Sequence, residues 1–327
     1  MTSARLRLDW RPEGTDVVAD VELSYTTHGT LAADGANCIV LPTYYTGTAD
    51  SYLPWIGPGL PFDPEHWYVV VPDMVGNGRS SVRHADGRSW DPRTDPVVRV
   101  SDDVALQRRL LEHLGVTRVA LVAGWSMGGL QAWGWATAYP ELVDAILPVC
   151  ASARCWPLNE MFLEGLAPLL ERALEVPAEE EHWLRVFGRA YAGWAYSLAY
   201  FRDGLWRADG YASLEDLRRD WADDHATWSA ADLLTMLRTW RSADLVGPEK
   251  SWQQALTAVR ARAVVMPSTT DAYFTVAENA LETACLARGE LRPIDSPYGH
   301  IAGRPGHLPE VTAAVAAAAR ELLAPHR

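Results

Sequence analysis

The run Arg118-Val119-Ala120-Leu121-Val122-Ala123, the turn Gly124-Trp125-Ser126-Met127-Gly128 and the following Gly129-Leu130-Gln131-Ala132 together decide how this chain is read. The first six residues predict a short buried strand. Gly128 to Tyr139 has the composition of a helix and stops at Pro140. Between them stands a G-x-S-x-G turn in the strand-turn-helix setting that a nucleophile elbow requires. Such a turn is so tight that its flanking positions must be small, and glycines sit two residues either side of Ser126. It lifts the serine hydroxyl above a sheet and puts the Met127 N–H at a helix N-terminus, where the partial positive charge stabilises an oxyanion.

Outward from this turn, strands are expected near Leu6 to Asp9 and at Val17 to Tyr25, Cys38 to Leu41, Trp67 to Val71 and Ala145 to Val149. Ser101 to Leu114 has helical periodicity, with Ser101 as the expected N-cap and Gly115 as the stop. Short apolar strands alternating with helices imply parallel strands joined by crossover helices, hence a buried α/β sheet. The rhythm changes from Ala153 to about Arg260, which reads as helices, before strands return at Ala263 to Met266 and Glu290 to Ile294 and a helix closes the chain from Glu310 to Leu323. The expected organisation is therefore a core of residues 1–152 and 261–327 with a helical cap inserted at 153–260. The cap region holds eight of the fifteen tryptophans.

A serine hydroxyl needs a base within hydrogen-bond reach. Of nine histidines, His300 lies in the loop Ser296-Pro297-Tyr298-Gly299-His300 just after the last expected strand, where it can fold back over Ser126. His307 is the runner-up, but it opens the terminal helix and is expected to cap it. His28, His66, His84, His113, His182, His225 and His326 read as surface or packing residues. Asp271 directly follows the strand Ala263 to Met266, at the sheet edge where the serine also emerges, and is the expected partner of the imidazole. Asp295 is the spare candidate. The chain order Ser126, Asp271, His300 is the one this kind of site uses on an α/β sheet.

A second oxyanion donor is expected from the loop Pro42-Thr43-Tyr44-Tyr45-Thr46-Gly47-Thr48, with the Tyr45 N–H as the choice beside that of Met127. Tyr44, Trp125, Trp156 and Tyr273 are the expected pocket residues. Asp73 to Ser80 carries two glycines but lacks the lysine of a P-loop and the G-x-G-x-x-G spacing, so it reads as a structural turn shaping the pocket floor.

Composition narrows the classes. Hydrophobic residues are 48% and charged residues 22% of 327, the balance of a globular chain. A net charge of -13 gives no support to nucleic-acid binding. Met1 to Trp10 has no apolar core of a signal peptide and no long apolar run exists, so neither export nor a membrane is expected and the cytoplasm is the default. The four cysteines, Cys38, Cys150, Cys155 and Cys285, lack metal or redox spacing and are expected as reduced thiols.

On these residues the chain resembles the α/β-hydrolase superfamily, and within it the homoserine O-acetyltransferase branch. Gly124 to Ala132 is similar to that branch's G-G-S-M-G-G-x-Q-A segment, and the branch places a helical lid where Ala153 to Arg260 stands. The resemblance implies the α/β-hydrolase fold, a serine acyl-enzyme mechanism, no metal or organic cofactor, and dimerisation through the cap helices. Two departures set homoserine recognition apart from the shared chemistry. The branch carries an aspartate after its histidine, whereas His300 is followed by Ile301-Ala302-Gly303. The turn after Val71 also looks like that of general hydrolases.

The expected activity is hydrolysis of an ester, thioester or lactone with a bulky apolar portion, a small-molecule acyl substrate. The aromatic wealth of the cap motivates the apolar part. An acyltransferase would use the same acyl-enzyme with an alcohol or amine acceptor in place of water. A binding protein that kept the fold without turnover is the third class, and the complete serine, histidine and aspartate set speaks against it.

Overall fold

The computed structural model describes residues 1–244 and 251–324; His326 and the stretch 245–250 of the expected cap lie outside the described residues. The chain opens with β1 (Thr2–Trp10) and β2 (Ala19–His28), an antiparallel pair, followed by β3 (Cys38–Val40), β4 (Tyr68–Pro72) and β5 (Ser81–His84). Helix α1 (Val100–His113) leads to β6 (Val119–Trp125), α2 (Met127–Ala138) and β7 (Ala145–Val149). Among the described residues six helices then follow without a strand: α3 (Pro157–Glu175), α4 (Glu180–Ala195), α5 (Leu198–Arg202), α6 (Leu214–His225), α7 (Ala230–Arg241) and α8 (Trp252–Thr257). The sheet resumes with β8 (Arg262–Val265), α9 (Val276–Thr283), β9 (Gly289–Leu291) and α10 (Pro309–Leu323).

The nine described strands form one sheet in the order β1-β2-β4-β3-β6-β7-β8-β9, with β5 paired to β2. From β4 to β9 every neighbour is parallel, and only β1, β2 and β5 bring antiparallel pairing. The fold is thus the α/β-hydrolase fold, a mostly parallel sheet with flanking helices. Strands β3, β4, β6 and β7 are buried along their whole length, which is why they read as continuous apolar runs rather than alternating ones. The chain runs from β3 to β4 on one side and, after α1, to β6 on the other. The carboxyl ends of β3 and β6 therefore flank the point where strand order reverses, the usual place for a ligand crevice in such sheets.

Several details differ from the sequence expectations: helix α9 is not among them, the last strand is Gly289–Leu291 rather than Glu290 to Ile294, and three more differences have a local cause. Helix α1 begins at Val100, and the Asp102 carboxylate accepts the Arg99 N–H at 2.8 Å, so Ser101 lies inside the first turn and is not the cap. Asp102 does this because it also accepts from Trp10 Nε1 and the Glu13 N–H, both at 3.1 Å, tying β1 to the helix start. His307 does not cap α10 either, since Leu308 holds that position. Strand β5 is the third difference, and its half-exposed residues carry no apolar run that would announce it.

The helices between β7 and β8, termed the cap below, pack α3 on α4 and α7, and α4 on α6. Its entry is held to the core by a buried group. Trp156, at the N-cap of α3, donates its indole N–H to Glu282 of α9 at 2.7 Å and packs edge-on against Trp252. Glu282 is fully buried, and burial pushes its carboxyl from 4.5 up to about 8. The folded chain keeps that proton where the unfolded chain has released it. The stability it permits is therefore complete below about pH 4.5, declines at up to about 1.4 kcal/mol per pH unit as pH rises, and is lost by pH 8. Glu282→Gln keeps the acceptor for Trp156 and removes the titration. Urea unfolding midpoints should then fall less between pH 5 and pH 8 than in the parent, with the variant ahead at pH 8. An unchanged slope would contradict this. Asp103, fully buried and also raised to about 8 with one oxygen accepting from the Val75 N–H, leaves part of the slope in place.

Candidate active site

Ser126 stands between the end of β6 and the start of α2 with φ 55° and ψ -129°, a strained conformation for a residue with a Cβ. The strain is held by packing that only glycines allow. A Cβ on Gly124 would run into the Gly128 carbonyl carbon, and one on Gly128 into the Pro42 carbonyl oxygen and the Tyr52 hydroxyl. The small residues of the motif thus let the turn close on itself and let the loop after β3 press against the start of α2.

The structure brings all three expected residues together. His300 Nε2 is 2.9 Å from Ser126 Oγ, and His300 Nδ1 is 2.8 Å from Asp271 Oδ2. All three are buried, at 4%, 5% and 4% exposure for Ser126, Asp271 and His300, so water competes little for these bonds. The other Asp271 oxygen accepts the backbone N–H groups of Tyr273 at 2.7 Å and Phe274 at 3.3 Å. Asp295 is exposed and accepts from Thr269 Oγ1 at 3.3 Å, away from the imidazole.

The imidazole is clamped on its faces as well. Trp125 stacks on it at 4.9 Å between ring centres and donates its indole N–H to the His300 carbonyl at 3.2 Å, while Tyr273 lies 4.7 Å away on a tilt. Gly299, at φ +65°, lets the His300 loop pass close beneath the cap, where a Cβ would meet the Ser197 backbone nitrogen at 2.7 Å. Ser197 in turn donates its hydroxyl to the Pro297 carbonyl, and Asn159 of α3 donates to the Tyr273 carbonyl at 2.5 Å. Both loops that carry the imidazole and the carboxylate are therefore tied to cap helices.

The Tyr45 and Met127 N–H groups donate no hydrogen bond within the protein among the described residues, which leaves both available to an oxyanion. A network that sequence reasoning did not assign holds the Tyr45 loop in place. Gln131, buried on α2, donates to the Thr43 carbonyl at 2.8 Å and the Met127 carbonyl at 3.1 Å, and accepts from Gln107 at 2.6 Å. From behind, Asp73 accepts the Ala49 N–H at 3.1 Å, and Asn77 donates to the Gly47 carbonyl at 3.1 Å. The Asp73 to Ser80 turn is thus structural, and it steadies the loop rather than lining the pocket. In the sequence Gln131 stood out only as the glutamine of the segment that follows the serine, which by itself says nothing about a partner near residue 43.

A cavity of about 310 Å³ opens beside these three residues, with Tyr44, Trp125 and Ile301 on its inner wall. Two of the expected pocket residues are thus there. The other two do not line this cavity. Trp156 is drawn to the cap hinge by Glu282, and Tyr273 is fully buried against His300 and Phe162. The rings that do line the cavity from the cap, Tyr196, Tyr211 and Trp221, come from segments with no local mark of a pocket. Among the described residues no group of three or more His, Cys, Asp or Glu is placed to hold a metal ion.

This geometry has relatives. The model of the alpha/beta hydrolase fold family matches residues 39–222. The chain belongs to the alpha/beta hydrolase fold family. It is 32% identical over 293 residues to the ethyl acetate hydrolase of Pseudomonas veronii, covering 85% of this chain and 83% of that one. It is 26% identical over 313 residues to the homoserine O-acetyltransferase of Chlorobaculum tepidum, covering 86% and 84%. Among solved structures, an acetylester hydrolase from Corynebacterium glutamicum superposes with a TM-score of 0.90 at 28% identity, covering 99% of this chain and 95% of the other. Like these hydrolases the chain is an enzyme of the alpha/beta hydrolase class, and no helix among its described residues is long and apolar enough to cross a membrane.

Proposed function

We propose that this alpha/beta hydrolase is a serine esterase for small acyl groups, acting through an acyl-enzyme on Ser126 with His300 as general base and Asp271 as its orienting partner. The observation that carries the reading is the aligned pair of hydrogen bonds from Ser126 Oγ to His300 Nε2 and from His300 Nδ1 to Asp271. His300 takes the Ser126 proton as Oγ attacks the ester carbonyl, and the Tyr45 and Met127 N–H groups receive the developing oxyanion. The alcohol leaves with the proton from His300. Water then enters, His300 takes one of its protons, and the carboxylic acid is released with Ser126 restored.

The limit on acyl size rests on the rings around Tyr45. An acyl carbonyl directed at the Tyr45 N–H meets Tyr45, Tyr191, Phe162 and Tyr273, which pack ring to ring at 5.0 to 5.6 Å between centres. The bulky apolar part of the ester is then its alcohol, on the cavity side. The acetyl esters in the names of the ethyl acetate hydrolase and the acetylester hydrolase agree with that division. With aryl esters graded from acetate to octanoate, kcat/KM is expected to fall at least about tenfold across the series, since overpacking a filled aromatic site costs more than about 1 kcal/mol. A flat series would overturn the small-acyl reading.

Transfer to an alcohol acceptor is the second reading, favoured by the likeness to homoserine O-acetyltransferases over most of the chain. Trapping the acetyl-enzyme and adding alcohols separates the two: transfer requires ester formation to outrun release of acetate.

A further inference from the structure

The cavity beside the triad carries chemistry that ester hydrolysis alone does not use. Its inner wall is Tyr44, Trp125 and Ile301, neighbours in sequence of Tyr45, Ser126 and His300. Its outer wall is built by the cap, with Tyr196, Tyr211 and Trp221 presenting aromatic rings. The same lining carries two exposed carboxylates on successive turns of α6, Asp220 and Asp224, against one exposed guanidinium, that of Arg304. Asp220 is oriented by the Tyr211 hydroxyl, which donates to it at 2.7 Å.

A second, independent feature is His225, which lines the same cavity while only 2% exposed. Its Nδ1 lies 2.8 Å from the Trp221 carbonyl. A carbonyl can only accept, so Nδ1 carries the proton. Burial holds the ring below the usual histidine range, against the opposing pull of the Asp224 carboxylate 3.3 Å from Nδ1, and Nε2 is buried. Among the described residues no group donates to it. The cavity is thus lined by aromatic rings, the Thr46 and Ser51 hydroxyls and two carboxylates against one guanidinium, and its π faces and net negative balance ask for a ligand that is positive and apolar-bodied.

We propose that this vestibule receives the alcohol portion of the ester and favours an alcohol bearing an alkylammonium group over a neutral alcohol of the same shape. The inference rests on the esterase reading above. The cation sits against the Trp221 and Tyr196 rings with Asp220 and Asp224 behind it. The ester carbonyl reaches inward past Trp125 to Ser126.

The test compares 2-(trimethylammonio)ethyl acetate with 3,3-dimethylbutyl acetate, which differ by a nitrogen cation in place of a neutral carbon. At low ionic strength the ratio of their kcat/KM values should favour the cation by about tenfold, the combined worth of ring faces and partly exposed carboxylates. The ratio should shrink toward one in 1 M salt, which screens exposed charges beyond about 3 Å. It should also shrink in Asp220→Asn/Asp224→Asn, and the salt titration of the parent enzyme gives the same information should that variant fold poorly. A ratio of one or less in the parent, or a preference indifferent to both salt and the double substitution, would overturn the inference. If the neutral ester is hydrolysed without preference, only this inference falls. If neither ester is touched, the esterase reading falls first.

Discussion

Ser126→Ala is expected to lower kcat for aryl acetate hydrolysis by roughly 10⁴- to 10⁶-fold while the fold persists, and His300→Ala to do the same. The size of the effect follows from the shared role of the two groups. Without the hydroxyl there is no acyl-enzyme, and without the imidazole the hydroxyl stays protonated at neutral pH. The fold should survive because the Ser126 hydroxyl has one described partner, His300 Nε2, and an alanine in its place would keep the same backbone position between Gly124 and Gly128. His300 in the serine variant is still held by Asp271 and the Trp125 stack. The Tyr45 and Met127 N–H groups remain as well, so a residual rate above that of water is expected from the oxyanion site alone. Steady-state rates, together with thermal unfolding to establish that the variants are folded, check the expectation. A Ser126→Ala enzyme within tenfold of the parent would remove the serine from the mechanism, whatever the geometry.

Asp271→Asn is expected to cost about 10⁴ in kcat, and the surroundings of the carboxylate say why. Asp271 Oδ1 accepts two backbone N–H groups, those of Tyr273 and Phe274. An asparagine must keep its oxygen there, because its NH₂ would otherwise face two donors. That orientation turns the NH₂ toward His300 Nδ1, which must then accept. The proton moves to Nε2, facing Ser126 Oγ, and the base has lost its lone pair where it is needed. Ring-nitrogen NMR of the variant should report the Nε2–H tautomer, and kcat should fall far more than the stability does. Asp295→Asn serves as the comparison, since Asp295 is exposed and bonded to Thr269 rather than to the imidazole. A near-native rate for Asp271→Asn would shift the orienting role elsewhere.

Both predictions concern residues that local patterns could find. The elbow is legible because its constraints are short-range: a tight strand-to-helix turn demands small residues two positions either side of Ser126. Asp271 and His300 are legible because each lies in a loop that leaves the carboxyl end of a parallel strand, β8 and β9, and strand ends in such a sheet converge on one edge. The buried strands announce themselves by unbroken apolar runs, and the cap by their absence over a hundred residues.

What escaped was set by contacts between distant segments. Trp156 was as plausible a pocket aromatic as Trp221 until the burial of Glu282 claimed its indole N–H at the cap hinge. Ser101 had the chemistry of an N-cap, yet Arg99 holds that position, its N–H accepted by an Asp102 carboxylate tied to Trp10 and Glu13, some ninety positions earlier. Gln131 looked like one polar residue on an apolar helix, and only the approach of the loop after β3 made it the support of the Thr43 carbonyl. By itself, then, the sequence determined the buried parallel strands, the elbow and the three side chains that the fold brings into hydrogen-bond contact, because each follows from neighbours along the chain or from the rule that parallel strands end together. The tertiary structure alone decided which aromatics and carboxylates line the cavity beside Ser126, because α6 lies about one hundred residues from Ser126 along the chain and reaches the cavity only through packing.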